Sequence, residues 1–168
     1  MLIAYLFLYL HRPINNSSPQ QYKISTVLHE LAHIRHYDAN TTYYQMDTII
    51  RESYASYVGW YLGESYYLDK GYIKSSNAEQ INLNGRQYWT KNSTHHNYSP
   101  LFVDLLDDFN QHTTASPECV DDAISEVPFS VIEGMSHCLT VSACHSFLNT
   151  YTGVYFNTID LNTIFSYY

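Results

Sequence analysis

His29-Glu30-Leu31-Ala32-His33 sets two imidazoles four residues apart, with a carboxylate next to the first. On a helix, four residues bring the chain round to within about 40° of its starting direction. The two rings then point the same way, one turn apart, and a nitrogen from each can reach one zinc ion at about 2.0–2.1 Å. Glu30 stands one step round. It cannot ligate beside both His residues, but it can reach a water on the metal, the place of a general base in metal-assisted hydrolysis.

Hydrolytic zinc takes three protein ligands and keeps one position for water. Glu52 follows His33 after 18 intervening residues, in "RESYASYVGWYLG". That distance lets the first helix end, the chain turn, and a second helix return. On that second helix Glu52, Ser56, Gly59 and Gly63 fall within about 60° of one another. A stripe of small residues flanking one carboxylate lets two helices approach closely and sets the acid against the metal. Glu64, after 30 intervening residues, is the rival third ligand. His36 lies about 60° round from His33 on the helix and reads as a neighbour of the site or an exposed residue rather than a ligand.

The elements that must carry these residues are legible. Ser25 or Thr26 is a suitable N-cap, and apolar residues from Val27 to Ile34 predict a helix over Thr26 to Tyr37. Its apolar spacers, Leu31 and Ala32, suit a helix buried in the core. "DANTT" (38–42) reads as a break. Three- and four-residue apolar spacings predict a longer helix from Tyr43 to Leu68. Ser99-Pro100 starts another, with Leu101, Phe102, Leu105, Leu106 and Phe109 as its stripe. Pro128 opens a helix to about Leu148, and a short one covers Leu161 to Ser166. Before the motif, "MLIAYLFLYLHRP" fits a strand, followed by the turn-forming "NNSSPQQ". The polar stretch 69–97 reads as a long loop, with Asn84-Gly85 as a hairpin signal. The fold class is mainly α, with a small N-terminal β element and a helical C-terminal half.

Composition narrows the function. A chain of 168 residues reads as one domain over 1–168, either whole or the C-terminal part of a longer chain. Its apolar share of 45% is ample for a core. A net charge of −8 argues against a nucleic-acid partner. No stretch is long and apolar enough for a transmembrane helix, and the N-terminus lacks a basic region and a cleavage site. Cys119, Cys138 and Cys144 form no C-x-x-C pair and read as packing residues. Asp104, Asp107 and Asp108 with His112 read as a solvated acidic helix face.

The phrase H-E-L-A-H, then 18 residues, then E-S-Y-A resembles the gluzincin metallopeptidases, with the spacing of their aminopeptidase branch. The resemblance covers Ile24 to Gly63. It implies a zincin-like α+β catalytic domain with Zn2+ on His29, His33 and Glu52, and Glu30 as general base. The metzincin pattern is ruled out, because it needs Gly at 36 and His at 39, where this chain has His36 and Ala39. The Gly-x-Met-Glu-Asn strand of the aminopeptidases has no counterpart in residues 1–25. Gluzincins steady the oxyanion with a Tyr or His. The thermolysin branch has a Tyr eleven residues after its second His, the offset of Tyr44 here. Tyr98, His95 and His96 are the other candidates. The longer phrase "HELAHIRHY…ESYASYVGWYL" is similar to zinc-metallopeptidase domains of bacterial envelope lipoproteins, which favours the cell envelope or secretion.

The expected activity is therefore zinc-dependent hydrolysis of a peptide or protein substrate. Two alternatives stand beside it: a zincin-like binding or scaffold module without turnover, and a zinc hydrolase of a non-peptide substrate.

Overall fold

A computed structural model describes residues 20–69, 99, 101–106 and 123–166, with side chains of the first two helices described over 25–63. The described residues form six α-helices and no strand. They are α1 (Gln20–Ala39), α2 (Thr48–Asp69), α3 (Leu101–Asp104), α4 (Phe129–Ser136), α5 (Val141–Asn149) and α6 (Thr158–Phe165). A single 3-10 turn, Tyr43–Gln45, lies between α1 and α2. The mainly α reading therefore holds. The expected N-terminal strand, the 69–97 loop with its Asn84-Gly85 hairpin, and Cys119 lie outside the described residues.

The central element is α2, which packs against α1, α3 and α4, while α5 joins α4 to α6. Its inner face carries Ile50, Tyr54, Tyr57 and Trp60, all buried. Leu101, Phe102 and Leu105 around α3, Ile132 and Met135 of α4, Leu148 of α5, and Leu161 and Ile164 of α6 complete the core. Ser53 on α2 fastens α3: its Oγ accepts the Ser99 backbone N–H at 2.7 Å, and both residues are buried. None of the described helices is long and apolar enough to cross a membrane.

Several boundaries differ from the sequence reading. Helix α1 begins at Gln20, so Ser25 and Thr26 lie inside it and cap nothing. Their place inside the helix follows from packing: Ser25 rests against Gly59 and Gly63 of α2. Tyr43 belongs to the 3-10 turn, and α2 begins at Thr48. The helix from Pro128 is broken at His137, and α5 restarts where the Thr140 Oγ1 accepts the Ala143 N–H at 3.1 Å. Helix α6 begins at Thr158, capped by Asn157, whose Oδ1 accepts the Asp160 N–H at 2.9 Å.

Two burial expectations are also corrected. Leu31 is 43% exposed: the main packing of α1 is against α2, and it buries Ala32 rather than its neighbour. Asp104 is fully buried at the end of α3 rather than solvated. Asp107, Asp108 and His112 lie outside the described residues.

Candidate metal centre

The turn between α1 and α2 is built by Asn40. Its Oδ1 accepts the Thr42 backbone N–H at 3.0 Å and the Thr42 hydroxyl at 2.7 Å. Its Nδ2 donates to Met46 Sδ at 3.2 Å. An Asn side chain bonding its own backbone two residues on reverses the chain compactly. The reversal lays α2 back along α1. The helices then meet through glycine: a Cβ at Gly59 would stand 2.6 Å from the Ser25 carbonyl oxygen and 3.2 Å from the His29 nitrogen. The small-residue stripe foreseen on α2 is thus the contact surface for α1.

This close crossing brings together the three residues chosen from spacing. His33 Nε2 lies 3.1 Å from His29 Nε2 and 3.2 Å from Glu52 Oε2. His29 Nε2 lies 3.4 Å from the same carboxylate oxygen. Among the described residues, these three form the one group able to hold a metal ion. Ligands tetrahedrally placed at about 2.0–2.1 Å from zinc stand about 3.3–3.4 Å apart, so the observed triangle fits. Three lone pairs so close repel one another unless a cation or a proton stands among them. The side chains of His29, His33 and Glu52 are 14%, 15% and 25% exposed, which leaves solvent a way in.

The far side of each ring is also held. The Tyr43 hydroxyl and His33 Nδ1 share a hydrogen bond of 2.9 Å. Ser56 Oγ lies 3.4 Å from His29 Nδ1. Burial, opposed by the nearby Arg51 charge, raises the Tyr43 pKa above its ordinary value. Neither partner was foreseen in that role. The sequence marks Ser56 only as a small residue, and it offers Tyr44 and Tyr98, with His95 and His96, for the oxyanion rather than for holding a ring. The 3-10 turn sends Tyr43 inward and leaves Tyr44 77% exposed, its ring edge against Tyr37 and Tyr43. Tyr98, His95 and His96 lie outside the described residues, as does the side chain of Glu64.

Glu30 is half-buried on α1, one residue after His29. No hydrogen bond or ion pair ties its carboxylate to another described residue. His36 is no ligand. It is 3% exposed, and its Nε2–H donates to the Ser136 carbonyl at 2.8 Å, tying α1 to α4. Burial, with help from the charges of His137, His33 and Arg51, lowers its pKa to about 4. A separate cleft of about 620 Å3, lined by Asp47, Thr140 and His145 among others, includes none of the three candidate ligands.

Comparison of the chain with protein-family models, with curated proteins and with solved structures finds no match.

Proposed function

We propose that this protein is a zinc-dependent hydrolase acting on peptide bonds. The observation that carries the proposal is the triangle of His29 Nε2, His33 Nε2 and Glu52 Oε2, with edges of 3.1, 3.2 and 3.4 Å. Two imidazoles and one carboxylate suit zinc, and three protein donors leave a fourth position for a reactant. The same donor set also serves non-haem iron. Glu30 follows His29 on α1 and makes no hydrogen bond or ion pair with another described residue, and a carboxylate so placed in the sequence favours hydrolysis.

Zinc supplies Lewis acidity there: it makes water acidic enough to ionise near neutral pH and polarises a carbonyl. The protein's own part is to hold and to move protons. His29, His33 and Glu52 would hold the cation between α1 and α2. A Glu30 carboxylate oxygen takes the proton as water attacks the scissile carbonyl, then hands it to the leaving amine nitrogen. Its lack of another described partner leaves both oxygens available for that transfer.

The test is elemental analysis of the purified protein beside His33→Ala. One zinc per chain, lost in the variant, is the expected result. Iron in its place, or no metal in either protein, overturns the proposal. Peptide cleavage by the zinc-loaded protein then separates a peptidase from a binding module and from a hydrolase of other substrates.

A further inference from the structure

We propose that Tyr43 is a positioning residue of the metal centre, its hydroxyl fixing the orientation and tautomer of the His33 ring. The inference rests on the zinc reading above. A neutral imidazole carries a single N–H, and a ring that ligates through Nε2 must carry it on Nδ1. His33 Nδ1 has a phenolic oxygen 2.9 Å away. With Nδ1–H donating to that oxygen, the Nε2 lone pair is left facing His29 and Glu52. The corresponding support for His29, Ser56 Oγ, stands at 3.4 Å.

The remainder of the turn holds Tyr43 still. Its backbone N–H donates to the Asn40 carbonyl at 3.1 Å, at the foot of the Asn40–Thr42 bonds. Its ring meets the edges of His36 and Tyr44, with centroids 5.3 and 5.6 Å away. The Arg51 guanidinium lies over the same ring, 5.1 Å from its centre, and Nη2 donates to Thr48 Oγ1 at 3.0 Å. Tyr43 is buried, so the phenol has little room to swing away. The segment joining the two ligand-bearing helices is thus part of the centre.

The test is Tyr43→Phe, which keeps the ring and removes only the oxygen. Zinc affinity is measured by competition with a chromophoric chelator. The imidazole tautomer in the metal-free protein is read from 15N chemical shifts. Loss of such an outer hydrogen bond weakens metal binding by about 10–100-fold. That loss is expected in Tyr43→Phe, with the Nδ1–H form of His33 depleted and metal-free melting little changed. Tyr44→Phe is expected to bind zinc as the wild type does. Wild-type binding matched within twofold by Tyr43→Phe overturns the positioning role and leaves the zinc reading intact. A wild type that takes up no zinc overturns both.

Discussion

Gly59 sits beneath Ser25, so close that a Cβ at position 59 would stand 2.6 Å from the Ser25 carbonyl oxygen. A backbone carbonyl within a helix cannot step aside, so a methyl group there must push α1 away from α2. His29, whose nitrogen lies 3.2 Å from the same point, moves with it. Gly59→Ala is therefore expected to lose about 1–3 kcal/mol of stability, as overpacked sites do, and to bind zinc more weakly. Gly63→Ala is the control. Its Cβ would meet the Ser25 Oγ at 2.7 Å and otherwise nothing nearer than 3.7 Å, and a side-chain hydroxyl can rotate. Replacing a helical glycine with alanine gains up to about 1 kcal/mol, so this variant is expected to be neutral or more stable. Urea unfolding of both proteins, with zinc titrations, checks the contrast; equal behaviour of the two variants counts against the close crossing.

That contrast shows why part of the centre could be read from spacing. A helical period turns residue number into direction, so His29, His33, Glu52, Ser56, Gly59 and Gly63 declared a shared face before any coordinates. Tyr43 did not declare itself. The choice between adjacent Tyr43 and Tyr44 is made by a single 3-10 turn, and in a chain with 18 tyrosines residue type gives no help. Leu31 misled because an apolar side chain marks a core face only where another element covers it, and the face of α1 that packs on α2 is that of Ala32. Ser25 and Thr26 misled because a cap works only where a helix ends, and packing on α2 carries α1 through both. Asp104 shares helical spacing with Asp108, but its burial is decided by tertiary packing around α3, which spacing does not encode.

Glu30 gives the prediction closest to the chemistry. Glu30→Gln preserves size and removes the ability to accept a proton. A positioned general base contributes about 10²–10⁴-fold. The variant is expected to keep its zinc and to lose turnover by that factor, followed with a library of quenched fluorogenic peptides. Unchanged turnover in a zinc-loaded variant would remove Glu30 from the reaction and point to another base.

His36 links acid stability to the α1–α4 contact. Its folded-state pKa is near 4, because burial disfavours the charged ring, against 6.5 when the chain is unfolded. Between those values the unfolded chain takes up a proton that the folded chain refuses. The stability this group supports is fully present above pH 6.5, declines as pH falls towards 4, and changes no further below that. At 1.36 kcal/mol per pH unit the loss approaches about 3 kcal/mol. His36→Gln has no such group. Urea unfolding at pH 7 and pH 4 is expected to show the wild type losing more stability than the variant. Parallel losses in the two proteins would assign acid sensitivity to other groups.

Zinc itself should stabilise the fold, and the reason lies in the triangle. Three acceptor atoms held within 3.4 Å of one another are an unfavourable arrangement in the absence of a positive charge. A cation removes that repulsion in the folded state and finds no such assembled site in the unfolded chain. Free zinc at a hundred times its Kd is then expected to add about 2.7 kcal/mol. For a domain of this size that raises Tm by about 5–10 °C, reversibly on adding a chelator. His33→Ala should show no shift. Glu52→Gln, which keeps an oxygen but not the charge, should show a smaller one. The ordering matters more than the absolute size. A shift of equal size in all three proteins would mean that zinc binds elsewhere. The close approach of His29, His33 and Glu52 would then be held by a proton shared between an imidazole and the carboxylate.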